Sequence, residues 1–214
     1  MISAVVPYRP ASGRADAHGF VCEWLSQHVD EVVVCDDGGT PFSRGCSINE
    51  GVGRAAHDVL VICDSDLVVP VEQLDLAVIK VCASGGMTLP FDRYHYLTGA
   101  ASLEVMAGVA PTPETPREFS MSSSVGGVCV IDRKTFNLVG GFDPQLRGWG
   151  GEDYCFWSAV DTFSQVNRVE GVLYHLWHPV DPVRPAENMQ VMQAYMDARG
   201  DRDRMLELIG DRSC

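Results

Sequence analysis

The sequence predicts an α/β fold whose central sheet is mostly parallel and flanked by helices. Three observations carry that expectation. Short apolar, β-branched runs alternate with segments of helical periodicity through residues 2–91, the pattern of βαβ units. The second and third runs stop at Asp36-Asp37 and at Asp64-Ser65-Asp66, and in open parallel sheets ligands gather beyond the carboxyl ends of the strands. Finally, 214 residues with 46% hydrophobic and 21% charged content suit one α/β domain with a substantial core.

Element by element, Ile2–Pro7 reads as a buried first strand ended by proline. His18–His28 follows with Phe20, Val21, Trp24 and Leu25 on one helical face. Glu31–Cys35 is a second strand, Ser47–His57 a helix and Asp58–Cys63 a third strand. Val71–Ala83 reads as a helix and Met87–Phe91 as a short strand. From Leu97 to Ser124 the pattern fails, and Pro111, Pro113 and Pro116 mark a long loop, of the kind that is usually functional or disordered. Val125–Ile131 resumes as a strand, Arg133–Val139 as a short helix, Tyr154–Phe163 as a helix and Val172–Leu176 as the last strand. The tail from Ala186 to Ile209 is helical, and its Met189, Met192, Tyr195 and Met196 face is expected to pack on the core.

A formal net charge of −13 argues against a nucleic-acid or anionic-membrane surface. An anionic small ligand stays open, provided a metal or a few arginines neutralise it locally. No run reaches the roughly 18 apolar residues of a membrane span. Met1–Pro7 lacks the basic start of a signal peptide, so the expected location is the cytoplasm. Eight cysteines without a CxxC pair read as reduced, mostly buried thiols and not as a zinc site.

Gly148-Trp149-Gly150-Gly151-Glu152-Asp153 concentrates three glycines, a large aromatic and two adjacent carboxylates. Each ordered glycine costs about 0.5–1 kcal/mol relative to alanine, so this stretch is expected to approach a ligand closely or to move. A turn whose tryptophan plugs the core is the plainer alternative. Asp64 and Asp66, one residue apart at a strand end, can reach one divalent cation, although such a pair is also common as a helix entry. His175 and His178 stand at the end of the last strand, and one imidazole can complete a site with Asp66. Pro7-Tyr8-Arg9 and Phe42-Ser43-Arg44 each set an aromatic just before an arginine, suited to stacking on a base and meeting phosphate or ribose. Asp36 or Asp37 can accept from a nucleobase imide; surface arginines beside turn aspartates are the bland reading of each.

In series, these residues resemble a GT-A fold glycosyltransferase of the family 2-like kind, in the beta-1,4-galactosyltransferase and polypeptide N-acetylgalactosaminyltransferase group. Val6-Pro7-Tyr8-Arg9 resembles the family's first-strand exit, and Phe42-Ser43-Arg44 with Ile48-Asn49-Glu50-Gly51 its second nucleotide-contacting segment. Asp64-Ser65-Asp66 matches its DxD, and Gly126-Gly127-Val128 through Phe136 and Gly140-Gly141-Phe142 its "GGV…F…GGF" stretch. Residues 148–153 match its GWGGED motif, and His175 falls at its metal-binding histidine, with His178 as a competing ligand. Residues 2–180 are covered. Tyr154-Cys155 replaces a further acidic run, and no stem or membrane anchor of the Golgi kind is expected.

The resemblance implies a Rossmann-like nucleotide-sugar-binding domain over residues 1–214. Residues 1–96 form its nucleotide-binding half, 97–180 its acceptor and catalytic half, and 181–214 a helical tail. It implies transfer of a hexose (Gal, Glc, GalNAc or GlcNAc) from a UDP-sugar to an acceptor hydroxyl on a glycan, protein or other molecule, with Mn²⁺ or Mg²⁺. Asp64, Asp66 and His175 would hold the metal. Pro7, Tyr8, Arg9, Asp36, Asp37, Phe42, Arg44, Asn49, Asp64 and Ser65 would meet the donor. Gly126, Gly127, Trp149, Gly150, Gly151 and Glu152 would line the sugar and acceptor site, with Trp149 as a lid. Asp153 and Glu152 would be the catalytic carboxylates, with Asp153 the general base of an inverting displacement, worth about 10²–10⁴ in rate. A retaining GalNAc-transferase-like enzyme and a non-catalytic nucleotide-sugar-binding module are the alternatives.

Overall fold

The structure is a computed structural model that describes residues 1–10, 13–148, 150–179 and 185–210. Trp149 and Cys214 therefore lie outside the described residues. In chain order the elements are β1 (Ile2–Pro7), α1 (Ala15–Ser26), β2 (Glu31–Cys35), α2 (Arg44–Arg54), β3 (Val59–Cys63), β4 (Leu67–Val68), α3 (Val71–Ser84), β5 (Met87–Leu89) and β6 (Arg93–Leu97). There follow α4 (Gly99–Met106), β7 (Arg117–Ser122), β8 (Val128–Asp132), α5 (Arg133–Leu138), α6 (Glu152–Phe163), β9 (Val166–Arg168), β10 (Val172–His175), α7 (Ala186–Ala198) and α8 (Arg202–Gly210).

The main sheet has six strands in the order β2-β1-β3-β8-β5-β9. Its β1/β2, β1/β3 and β5/β9 pairs are parallel, and β8 alone runs against its neighbours β3 and β5. The expected mostly parallel sheet with flanking helices is thus the one observed. β1 and β3 are apolar runs with almost no exposed side chains, as strands covered on both faces require. Helix α2 rides close on them because Gly51 leaves room: a Cβ there would come within 2.6 Å of Val5 and 2.7 Å of the Cys35 sulfur. Arg133, at the start of α5, donates to the carbonyls of Val52, Ala55 and His57 at 2.7–2.8 Å, satisfying the end of α2.

Several expectations need correction. Residues 97–124 are not one long loop; they contain α4 and the strand β7. Thr98 caps α4 by accepting from the Ala101 N–H, and β7 pairs antiparallel with β6. With β4 and β10 these strands make a second sheet, β4-β10-β6-β7, which the sequence reading did not foresee. The tail is two helices, broken at Gly200, whose φ of +82° suits only glycine cheaply. Met189 and Met196 are exposed, whereas Tyr195 is buried and donates to Asp143 at 2.8 Å. The seven described cysteines are free thiols. No helix among the described residues is long and apolar enough to cross a membrane.

Candidate active site

The carboxyl ends of β1, β2 and β3 form one edge, and most of the singled-out residues stand along it. Past Pro7 the chain stays beside β2, with the Tyr8 N–H on the Cys35 carbonyl at 2.9 Å. The Tyr8 ring stacks on His18 of α1, with centroids 3.6 Å apart and planes 6° from parallel. Arg9 gathers its neighbours: its guanidinium binds Asp36, reaches Asp37 at 3.1 Å and the Gly39 carbonyl at 2.6 Å, and lies 4.9 Å over the Phe42 ring. The Arg9 hydrogen bond, helped by the Gly38 N–H, holds the Asp36 carboxyl below its ordinary range. Arg147, just before the glycine-rich stretch, reaches Asp37 at 3.3 Å. Asn49 has a different occupation: its side-chain amide makes a two-way bond with the Phe142 backbone, 2.8 and 2.9 Å, bracing the Gly140-Gly141-Phe142 turn.

Arg44 is the hub. It opens α2, a helix whose Ser43 N-cap accepts from the Cys46 N–H at 3.2 Å. Its guanidinium binds Asp64 at 2.5 Å and Asp153 at 2.7 Å, and lies 3.9 Å from Glu152. Burial opposes its charge, yet Asp153, Asp64 and Glu152 hold it well above its ordinary pKa. Burial pushes the Asp153 carboxyl up to about 7, opposed by Arg44 and reinforced by Glu152 and Asp64. Burial likewise pushes Asp64 up to about 6. Nothing local in the sequence ties Arg44 to a carboxylate 109 residues away.

The glycine-rich stretch leads directly into α6, with Glu152 and Asp153 in its first turn, where the N-terminal end of the helix dipole favours carboxylates. Gly148, Gly150 and Gly151 have φ of +68°, +101° and +103°, a left-handed region that other residues enter only with strain. Glu152 is buried and turns back to accept from the Gly150 N–H at 3.0 Å. Gly148 is tied to the Phe42 carbonyl at 3.2 Å. From α7, the buried Asn188 side chain donates to the carbonyls of Arg147 (3.0 Å) and Gly150 (2.9 Å), gripping the stretch on both sides of position 149. The sequence reading missed Asn188, because no motif marks it. Gly126 abuts Asp153 so closely that any side chain there would collide with the carboxylate, and a Cβ on Gly127 would meet Leu67 at 2.6 Å.

Asp66, His175 and His178 form a cluster whose ligand atoms lie within 4.8 Å of one another. Pairing of β10 with β4 sets His175 opposite Leu67, and the Leu176 N–H binds the Asp66 carbonyl at 2.8 Å. Nε2 of His175 is 3.8 Å and Nε2 of His178 3.2 Å from the Asp66 carboxylate, so both histidines flank it. Burial works against ionisation of Asp66, but the His178 hydrogen bond and the charges of His175, His178 and Arg14 keep it below the ordinary range. Burial lowers His175, favouring the neutral imidazole. Arg14 lies 3.2–3.3 Å from the His178 ring nitrogens, a neighbour the sequence did not reveal. Asp64 stands outside this three-residue cluster, engaged by Arg44, and Ser65 between the two aspartates is buried. A carboxylate with two imidazoles fits a divalent cation.

The sheet is that of the GT-A fold, and part of the chain resembles galactosyltransferases. The family described as the N-terminal domain of galactosyltransferase matches residues 112–171. Chondroitin sulfate N-acetylgalactosaminyltransferase 2 of Homo sapiens is 28% identical over 166 residues, 72% of this chain and 30% of that protein. The Mus musculus protein of the same name is 27% identical over 168 residues. The chain thus spans about a third of the length of these relatives. Among solved structures, the catalytic domain of Drosophila beta1,4galactosyltransferase 7 in complex with xylobiose aligns at a TM-score of 0.55 and 19% identity, covering 90% of this chain and 79% of that one. Glucosyl-3-phosphoglycerate synthase from Mycobacterium tuberculosis, in complex with Mn²⁺, UDP-Glc and phosphoglyceric acid, aligns at 0.54 and 16% identity, covering 98% and 80%.

Proposed function

We propose that this protein is a glycosyltransferase that moves a hexose from a UDP-sugar to an acceptor hydroxyl, inverting the anomeric centre with Asp153 as general base. One observation carries the reading. Along a single strand-end edge, Arg44 joins the DxD aspartate Asp64 to Asp153, while Asp66, two residues on, stands between two histidines. Asp66, His175 and His178 would hold a divalent cation, and the mixed nitrogen and oxygen donors favour Mn²⁺ over the oxygen-seeking Mg²⁺. When bound, that ion supplies Lewis-acid stabilisation of the diphosphate leaving group.

The chain's own residues do the rest. Tyr8, Arg9, Asp36, Asp37 and Phe42 form the face that meets the nucleotide. Asp153, with a carboxyl near 7, takes the proton of the attacking hydroxyl, and a base poised near the working pH does this best. Arg44 keeps that carboxylate ionised and fixed in direction. Glu152 shapes the entry of α6 by holding Gly150.

The test is UDP release from a panel of UDP-hexoses, with and without acceptor, in Mn²⁺, Mg²⁺ or chelator. Acceptor-dependent release that needs the metal is expected. Tight UDP-sugar binding without turnover would instead make the protein a binding module. Proton NMR of the first-formed product reads the stereochemistry, and retention of the donor's anomeric configuration would remove Asp153 as base of a single displacement.

A further inference from the structure

The four-stranded sheet has two dissimilar faces. Side chains alternate along paired strands, so Tyr94, Tyr96, Phe119 and Met121 share one face. There Tyr96 stacks on Phe119 at 4.1 Å and on His175 at 4.6 Å, which makes this the face of the metal cluster. The opposite face of β6 and β7 carries Arg93 across from Ser122 and His95 across from Ser120, and the irregularity at Tyr96/Leu97 brings Arg117 to the same side. These five residues line a groove of about 430 Å³, none of whose lining residues is acidic.

Such a gathering of cations is unexpected in a chain of net charge −13. Like charges on one face of a strand pair repel. The acid nearest Arg93 is Asp92, a single contact of 3.5 Å between half-exposed groups, which is worth little. Arg117 is steadied by Ser120 (2.9 Å) and the Pro113 carbonyl (2.9 Å), an anchoring that costs its charge nothing. Between the arginines His95 is 4% exposed, and its Nδ1 has no hydrogen-bond partner. Burial, then Arg117 and Arg93, keep its imidazole below the ordinary pKa. Two guanidiniums and two serine hydroxyls, set around this buried imidazole, are the donors that planar or tetrahedral oxyanions require.

We propose that this groove is an oxyanion site, and that it holds a sulfate, phosphate or carboxylate group of the acceptor away from the reacting hydroxyl. β7 is the sheet's edge strand and is exposed along its whole length, so an extended acceptor passing over it reaches both faces. The acceptor part rests on the transferase reading; the oxyanion part does not.

The test is an NMR titration of the metal-free protein, following the His95 ring and the amides of Ser120 and Ser122. The probes are sodium sulfate at constant ionic strength, and a sulfated oligosaccharide beside its desulfated counterpart. Sulfate should give saturable shifts that the double variant Arg93→Gln/Arg117→Gln loses, and the sulfated oligosaccharide should bind at least about tenfold tighter than the desulfated one. Absence of saturable shifts with either anionic probe overturns the site. Saturation by sulfate with equal affinity for the two oligosaccharides restricts it to free anions and overturns its role in acceptor binding. If sulfate saturates while no UDP-hexose is turned over, the groove stands and the transferase reading falls.

Discussion

Replacing Arg44 by methionine keeps most of the side-chain volume and removes the charge that three carboxylates share. In the parent, Asp64 and Asp153 titrate near 6 and 7, above the roughly 3.9 of an unfolded aspartate. Their ionisation therefore opposes folding, by an amount absent below about pH 4 and fully present above about pH 7. Without Arg44 both carboxyls rise further, so the added loss is largest at alkaline pH and shrinks as acid neutralises them. Breaking a buried pair costs about 3–5 kcal/mol. Asp64 and Asp153 keep 26% and 29% of their side-chain surface in solvent, which places the expectation at the lower end, about 3 kcal/mol. For a domain of this size that is a fall of about 6–12 °C in Tm at pH 8. Thermal unfolding followed by circular dichroism at pH 8 and pH 5 reads both quantities, and at pH 5, where both carboxyls of the folded parent are largely protonated, most of the difference from the parent should be gone. An unchanged Tm at pH 8, or a larger loss in acid, refutes the view of Arg44 as the charge that holds these carboxylates together.

Asp153→Asn should lower transfer by about 10²–10⁴ while leaving UDP affinity, measured by calorimetry, within about twofold; in the parent, kcat/KM should rise with pH and level off above about 7, and a profile flat down to pH 5 speaks against this base. Asn188→Ala removes two buried hydrogen bonds to the carbonyls beside position 149, so about 1–3 kcal/mol of stability should go, together with a fall in kcat larger than any change in UDP affinity; parent-like kcat would show that the grip is dispensable. His178→Ala should weaken Mn²⁺ binding, read by electron paramagnetic resonance of the free ion, by about 10-fold or more. Equal Mn²⁺ affinity in parent and variant would leave Asp66 and His175 to hold the ion without it.

The N-terminal half of the fold was legible because it is built from local signals. Ile2–Pro7, Glu31–Cys35 and the β3 run are largely apolar stretches, and each is followed by polar residues that reappear on the strand-end edge. The second sheet was missed for a physical reason. Arg93–Leu97 and Arg117–Ser122 do alternate, but β7 buries none of its side chains, and the prolines at 111, 113 and 116 dominate its surroundings. Small residues at Gly99-Ala100-Ala101-Ser102 likewise hid α4. At the site, Asp66 and the two histidines could be grouped from their strand-end positions. The Arg44 network and the Asn188 grip could not, since each joins residues separated by 20 to 109 positions through contacts that only folding creates. Glycines 148, 150 and 151 were noticed for their number; the structure shows the dihedral angles that demand them.

The reversed strand β8 divides the labour of the edge. Because it runs against β3, with Val128 opposite Cys63, residues enter the edge before β8 and leave it after β1, β2 and β3. Segments of opposite polarity thus supply one continuous edge. The stretch ahead of β8, which includes β7, can lengthen, shorten or change charge without shifting the register of β1, β2 and β3. Change in that stretch has a free margin to work in, and the three parallel strands need not be rebuilt each time.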